Sequence, residues 1–428
     1  MTISVHHKND SIKGTLQVPG DKSMSHRAVI FGSLAEGETQ IENFLLGKDC
    51  LRTIEAFRKM GVKIEQHGES VTIQGRGVSG LQEPTEPLFF GNSGTTARLL
   101  LGVLSGLPYH FVLTGDDSLS NRPMDRVSVP LRQMGSTIDG RDTGRFLPMS
   151  IRGGVLQPIE YKLPVNSAQV KSAILLAGLL TEGTTTVVEP VATRDHTERM
   201  IGAFGGTITK NGVNVSIEGP QALKGAAVKV PGDISSAAFF IVAATLVEQS
   251  ELVIENVGLN ETRTGIIDLL KQMGANIHMD VTHYVGDEPV GTVSVKASKL
   301  TATTVEGAMI PRLVDEIPLI ALAATQAEGK TVIKDAEELR VKETDRVRAI
   351  KQVLDVLGAT VTEREDGLEI EGGTALQGGT VSSFGDHRIG MMAVIASFLS
   401  SEKIEIQNPD CIDISYPTFF EDVKKVIS

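Results

Sequence analysis

Val18-Pro19-Gly20-Asp21 recurs as Val230-Pro231-Gly232-Asp233, and the likeness runs well past four residues. After each copy come a helix pattern of small residues, a strand (Thr39 to Asn43; Glu251 to Asn256) and a second helix closing on Met-Gly (Met60-Gly61; Met273-Gly274). A chain duplicated in this way folds as repeats of one supersecondary unit, which limits its architecture more than any local motif does. Six such units can be traced. Their first helices open near Asp21, Asn92, Asn166, Asp233, Asp315 and Asp386. The second helices of the first five stop at Gly61, Gly135, Gly205-Gly206, Gly274 and Gly358, where glycine takes the left-handed cap conformation. Start to cap is about 40 residues each time. First helices are rich in Ala, Ser, Leu and Ile (Ala168 to Leu180; Ile317 to Ala327) and read as buried. Second helices are amphipathic, as in Val347, Ile350, Val353, Leu354 and Leu357. Short β-branched runs such as Thr185 to Val188 lie between them. The pattern predicts an α/β fold of β-α-β-α-β-β units.

The sixth unit ends in its second helix, without its last two strands, and Ile3 to His6 and Ile12 to Val18 are expected to supply them. Residues 21–230 would then form one domain, and residues 1–20 with 231–428 the other, each of three units. The chain would cross between them at residues 18–22 and 229–233, making those places the hinge. Closure of all six units into one ring is the alternative. At 428 residues two sizeable cores are affordable. There is no secretory pattern and no apolar run long enough to span a membrane, so a cytoplasmic protein without a membrane partner is expected. Two cysteines, Cys50 and Cys411, make neither a disulfide framework nor a metal-ligand spacing. A net charge of −12 and the absence of tryptophan argue against a nucleic-acid partner.

Basic residues nevertheless recur at helix starts: Lys22, Arg27, Arg98, Arg122, Arg126, Arg194, Arg199, Lys342, Arg346 and Arg388. Positive charge in a first turn opposes the helix dipole, and is tolerated where an anion sits against the helix end. The ten together predict an electropositive site for small polyanions between the domains; pairing with Asp and Glu on a solvated face is the plainer alternative. Gly91-Asn92-Ser93-Gly94-Thr95-Thr96-Ala97-Arg98 opens a helix with exposed backbone donors fit for a phosphate or carboxylate. Gly75 to Gly80 fits a dinucleotide pattern, but Pro84 and Pro87 stand where its helix should run, so it reads as a turn.

Taken together, Gly20 to Arg27, Gly91 to Arg98, Asn121 to Asp125, Ser167-Ala168-Gln169, Arg340 to Arg346 and Asp386-His387-Arg388 resemble the enolpyruvyl transferases, and within them the branch acting on shikimate 3-phosphate. These segments span nearly the whole chain in family order. The resemblance implies two similar domains of three units each, with the active site in the cleft between them. It also implies transfer of the enolpyruvyl group of phosphoenolpyruvate to the 5-hydroxyl of shikimate 3-phosphate, by addition and elimination through a tetrahedral intermediate. No metal or organic cofactor is implied, and a monomer acting on small molecules is expected. Carried over by motif, Asp315 would orient or deprotonate the hydroxyl, Glu343 would protonate the methylene carbon, and Lys22 would sit between the substrates. Gly94 (through its backbone), Arg122, Gln169, Arg346 and Arg388 would hold phosphoenolpyruvate. Ser23, Arg27, Ser167, Ala168, Gln169 and Lys342 would hold shikimate 3-phosphate, with Thr193 or Arg194 near its phosphate.

One departure stands out. Many family members carry a lysine shortly after a cysteine near the C-terminus, whereas Cys411 is followed by Ile412 to Tyr416 without one. Members of the family are targets of the inhibitor glyphosate, and Gly94 keeps the small residue that leaves room for it. The nearest rival is the enolpyruvyl transferase acting on UDP-N-acetylglucosamine. Ser23 after Lys22 and the Lys342-Glu343 pair favour the shikimate branch. A non-enzymatic clamp of repeats would instead spread its basic charge over a nucleic-acid face.

Overall fold

The computed structural model describes residues 1–8 and 10–428. The chain divides into two compact units: Met1–Pro19, Pro231–Tyr284 and Glu288–Ser428 form one, Gly20–Val230 and Val285–Asp287 the other. Each has its own hydrophobic core. In the unit containing Gly20–Val230, three four-stranded sheets share one plan. A first strand runs parallel to a second, whose other edge pairs antiparallel with a hairpin; Leu88–Phe89, His110–Thr114, Met149–Arg152 and Thr137–Gly140 are one example. First helices lie inside: Lys22–Leu34 is buried from Met24 to Leu34, and Ile234–Leu246 from Ile234 to Thr245. A helix apolar on every side can only be a core helix. Second helices, such as Lys48–Lys59 and Arg346–Val356, bury one face. The predicted cap glycines 61, 135, 205, 274 and 358 all have positive φ. Arg76 ends a strand and Val78–Gly80 is a 3-10 turn, so the dinucleotide-like run is no phosphate loop. No helix of the described residues is long and apolar enough to cross a membrane.

One strand pairs differently from expectation. Thr2–Val5 joins the sixth sheet, antiparallel to Ile404–Gln407, but Lys13–Gln17 does not follow it. It runs parallel to Glu251–Glu255 as the first strand of the fourth sheet. Ala227–Lys229 does the same for the first sheet, pairing parallel with Gln40–Glu42. Each Val-Pro-Gly-Asp therefore follows a first strand and precedes the first helix of the other unit. The sixth sheet has three strands among the described residues. Both Val-Pro-Gly-Asp copies dock on an asparagine with φ of 55°, Asn43 and Asn256. A Cβ at Gly20 would lie 1.9 Å from the Asn43 carbonyl oxygen, so only glycine fits. Gly232 donates its N–H to the Asn256 carbonyl at 2.7 Å.

Candidate active site

In the unit containing Gly20–Val230, Asp21 caps the helix Lys22–Leu34, its carboxylate accepting from the Met24 N–H at 2.8 Å. Lys22 follows at the first helical position, half-buried and ion-paired with Asp49. The helix Gly94–Ser105 is capped by Ser93, one residue later than the sequence suggested. That slip frees Asn92, whose amide donates to Asp116 Oδ2 at 2.9 Å while its oxygen accepts from Arg122. Arg122 also donates to Ser118 Oγ at 3.0 Å. Arg98 donates to Gln169 Oε1 at 2.8 Å, and Gln169 Nε2 reaches Thr95 Oγ1 at 3.0 Å. Gly94, Arg98, Arg122 and Gln169 thus meet at one helix start. A Cβ on Gly94 would stand 3.0 Å from Arg98 Nη1 and 3.2 Å from Arg122 Nη1. The Gly94 N–H, expected to face an anion, donates to the Asn92 carbonyl at 3.0 Å.

Around Arg27 the same unit builds a second cluster. Its guanidinium donates to Thr197 Oγ1 at 2.7 Å, Ser172 Oγ at 2.9 Å and the Ser23 carbonyl at 3.0 Å. Ser167 caps the helix Ala168–Leu179, where Asn166 was expected to. Thr193 is buried, donating its N–H and hydroxyl to Glu189 Oε2 at 3.1 and 2.9 Å, and Arg194 beside it is half-buried. His26, one residue before Arg27, donates to or accepts from Thr53 Oγ1 at 2.8 Å. Burial first, then the charges of Lys22 and Arg27, pushes its pKa well below 6.5, so it is neutral at neutral pH.

The other unit gathers its charges on Arg346. This residue is 1% exposed and makes three ion pairs: Nε to Asp386 Oδ2 at 2.7 Å, Nη2 to Glu343 Oε2 at 2.6 Å and Nη1 to Asp315 Oδ1 at 3.2 Å. Burial works against its charge, but the fields of Asp386, Glu343 and Asp315 outweigh it and raise its pKa. Arg388 stands 3.8 Å from Asp315 Oδ2 and 3.7 Å from Glu316 Oε1. Asp315 lies in a 3-10 turn one residue before the N-cap position of the helix Ile317–Gln326, and its carboxylate pairs with the arginines. Lys342 pairs with Glu338 at 3.2 Å and remains apart from this knot.

Five of the ten basic residues expected to form an electropositive site carry a counter-charge with them. Lys22, Arg199, Lys342, Arg346 and Arg388 all have a carboxylate in ion-pair range. A guanidinium as buried as Arg346 must carry its counter-charge with it. Sequence reasoning missed Thr197, Ser172, Glu189 and Glu316. None has a local pattern that marks it. Lys171, a lone charge in an apolar helix, was the available signal. Cys411, in the turn Pro409–Ile414, is held in the thiol form: burial, partly offset by Ser383, pushes its pKa up to about 11.

A family model described as EPSP synthase (3-phosphoshikimate 1-carboxyvinyltransferase) matches residues 6–423. The chain is 56% identical over 414 residues to the 3-phosphoshikimate 1-carboxyvinyltransferase of Bacillus cytotoxicus, covering 97% of this chain and 98% of that one. That of Oceanobacillus iheyensis is 56% identical over 417 residues, 97% of each. Among solved structures, EPSP synthase from Acinetobacter baumannii superposes with a TM-score of 0.88 at 44% identity, covering 100% of this chain and 99% of that one. The enolpyruvyl transferase NikO from Streptomyces tendae, at TM-score 0.80 and 19% identity over 100% and 98% of the two chains, shares the fold.

Proposed function

The chain belongs to the EPSP synthase family, and we propose that both half-sites serve one transfer: the enolpyruvyl group of phosphoenolpyruvate moves to the 5-hydroxyl of shikimate 3-phosphate. The observation that carries the residue assignment is the knot on Arg346, which puts two candidate proton carriers, Asp315 and Glu343, on one guanidinium with Arg388 alongside. Asp386 is 0% exposed and Asp315 and Glu343 are 15% and 17% exposed, so Asp386 is the deepest of the three partners and the other two lie nearer the surface. Phosphoenolpyruvate, bearing a carboxylate and a phosphate, replaces Asp315 and Glu343 on Arg346 and Arg388, while Asp386 keeps Arg346 in place. Gly94, Arg122 and Gln169 supply its other contacts. Ser23, Arg27, Ser167, Ala168, Gln169, Lys342, Thr193 and Arg194 hold the acceptor.

In the addition step the acceptor oxygen bonds to the substituted alkene carbon as its proton passes to Asp315. Glu343, which takes up a solvent proton once phosphoenolpyruvate displaces it from Arg346, gives that proton to the methylene carbon, and Lys22 neutralises charge between the two anions. Elimination returns a proton from the new methyl group to Glu343, restores the double bond and breaks the carbon–oxygen bond to phosphate, which departs with the proton held on Asp315. Inorganic phosphate leaves with no net change in protons on the protein. The enzyme acts in the cytoplasm as a monomer on these two small molecules. The test is phosphate release from phosphoenolpyruvate with shikimate 3-phosphate or UDP-N-acetylglucosamine as acceptor. Release with the second alone would assign the chain to the rival reaction. Lys22→Met and Glu343→Gln, one from each unit, should each lower kcat by orders of magnitude, and the double variant by little more than the worse single one. Independent, multiplying losses would count against a shared site.

A further inference from the structure

Beneath Thr193 and Arg27 lies an ion cluster that the transfer does not use. Lys171 is 0% exposed, in a helix buried from Val170 to Leu179. Its ammonium is 2.9 Å from Glu189 Oε2 and 2.6 Å from Glu198 Oε1, which are 1% and 9% exposed. Such groups are expensive to desolvate, and an apolar trio of the same volume would be at least as stable, so the cluster is weak evidence for stability. What it does shows in what it holds.

Glu189 grips the Thr193 N–H and hydroxyl. Glu198 follows Thr197 in the helix His196–Ala203, and Thr197 Oγ1 accepts from Arg27 Nε. Ser172 follows Lys171, receives Arg27 Nη2 at 2.9 Å and lies 2.7 Å from Thr197 Oγ1. One ammonium thus ties together three segments: the stretch from Glu189 to Arg194, the helix with Thr197, and the helix that opens on Ser167 to Gln169. These carry most of the groups assigned above to the acceptor.

We propose that Lys171, with Glu189 and Glu198, is a positioning device for the phosphate of the acceptor. Through Glu189 it sets Thr193 and Arg194, and through Glu198 it sets Thr197 and hence the roll of Arg27. The three residues touch no substrate. The inference rests on the acceptor site proposed above and adds a specificity role to it: the cluster lets the site favour an acceptor bearing a phosphate over one without.

The test compares shikimate 3-phosphate with shikimate, which lacks the phosphate, in the full chain. Glu189→Ala should raise KM for shikimate 3-phosphate about tenfold while KM for phosphoenolpyruvate stays within about twofold, the size expected when charged hydrogen bonds are misplaced. The preference for shikimate 3-phosphate over shikimate in kcat/KM should fall by the same factor. Glu189→Gln keeps an acceptor oxygen for Thr193 and should recover most of the loss. If Glu189→Ala does not fold, the charge-balanced double variant Lys171→Met with Glu198→Gln should show the same split. Equal rises in both KM values, or a lower melting temperature with unchanged kinetics, would overturn the proposal. A wild-type chain that does not distinguish the two acceptors would instead overturn the acceptor reading, and the proposal with it.

Discussion

Replacing Gly94 with alanine tests the anion site at its tightest point. Gly94 opens the helix Gly94–Ser105 without a positive φ, so nothing in its backbone demands glycine. Space does. The new methyl carbon would lie 3.0 Å from Arg98 Nη1 and 3.2 Å from Arg122 Nη1, against a relaxed separation of roughly 3.5 Å or more. Each guanidinium must then retreat by a few tenths of an ångström. Arg122 is tied to Asn92 and Ser118, and Arg98 to Gln169 and the Pro123 carbonyl, so neither swings away freely. Misaligning one charged hydrogen bond should forfeit about half to all of its 1.5–3 kcal/mol, or roughly 1–2 kcal/mol. KM for phosphoenolpyruvate should therefore rise about 5- to 30-fold, with KM for shikimate 3-phosphate nearly unchanged. Stability should hold, because alanine is the better helix former and offsets the local strain. The assay is initial rate against phosphoenolpyruvate at saturating acceptor. A KM unchanged within about twofold would show that Arg98 and Arg122 do not place that substrate.

Arg346→Met should destabilise the unit by about 3–5 kcal/mol, since it takes the guanidinium away from the fully buried Asp386 and from its pairs with Asp315 and Glu343. Urea denaturation reads this, and a loss below about 1 kcal/mol would mean that the three carboxylates are better solvated than their burial indicates. His26 predicts an acid weakness. Its folded pKa lies well below 6.5, so its contribution is complete above that pH. Stability falls as the pH drops further, because the unfolded chain takes the proton first. The slope from this one group is at most about 1.4 kcal/mol per pH unit. His26→Gln should flatten the dependence of unfolding free energy on pH just below 6.5. An unaltered slope would mean that His26 charges in the folded state.

What could be read before folding was local and periodic. The doubled Val-Pro-Gly-Asp, the apolar first helices and the glycine caps all depend on residues a few positions apart, and they lie where their spacing put them. Partner choice across the chain was not readable. Leu16 sits in a strand that could extend either the fourth or the sixth sheet, and only long-range pairing with Ile254 decides. Charge balance was hidden for the same reason. Arg346 looks like an open anion ligand in sequence, yet two of its three carboxylates stand 31 and 40 residues away. Of the three helix starts that slipped by one residue within the site, those at Asn92 and Asp315 show how function and folding compete for a side chain. Asn92 and Asp315 are good caps by type. Once Ser93 and Glu316 occupy the cap positions instead, Asn92 can orient Arg122 and Asp315 can face Arg346 and Arg388. A cap one residue early would bind the amide or carboxylate to its own helix and leave the arginine unheld. At the first place Ser93, which accepts from the Thr96 N–H, is what lets Asn92 leave the backbone.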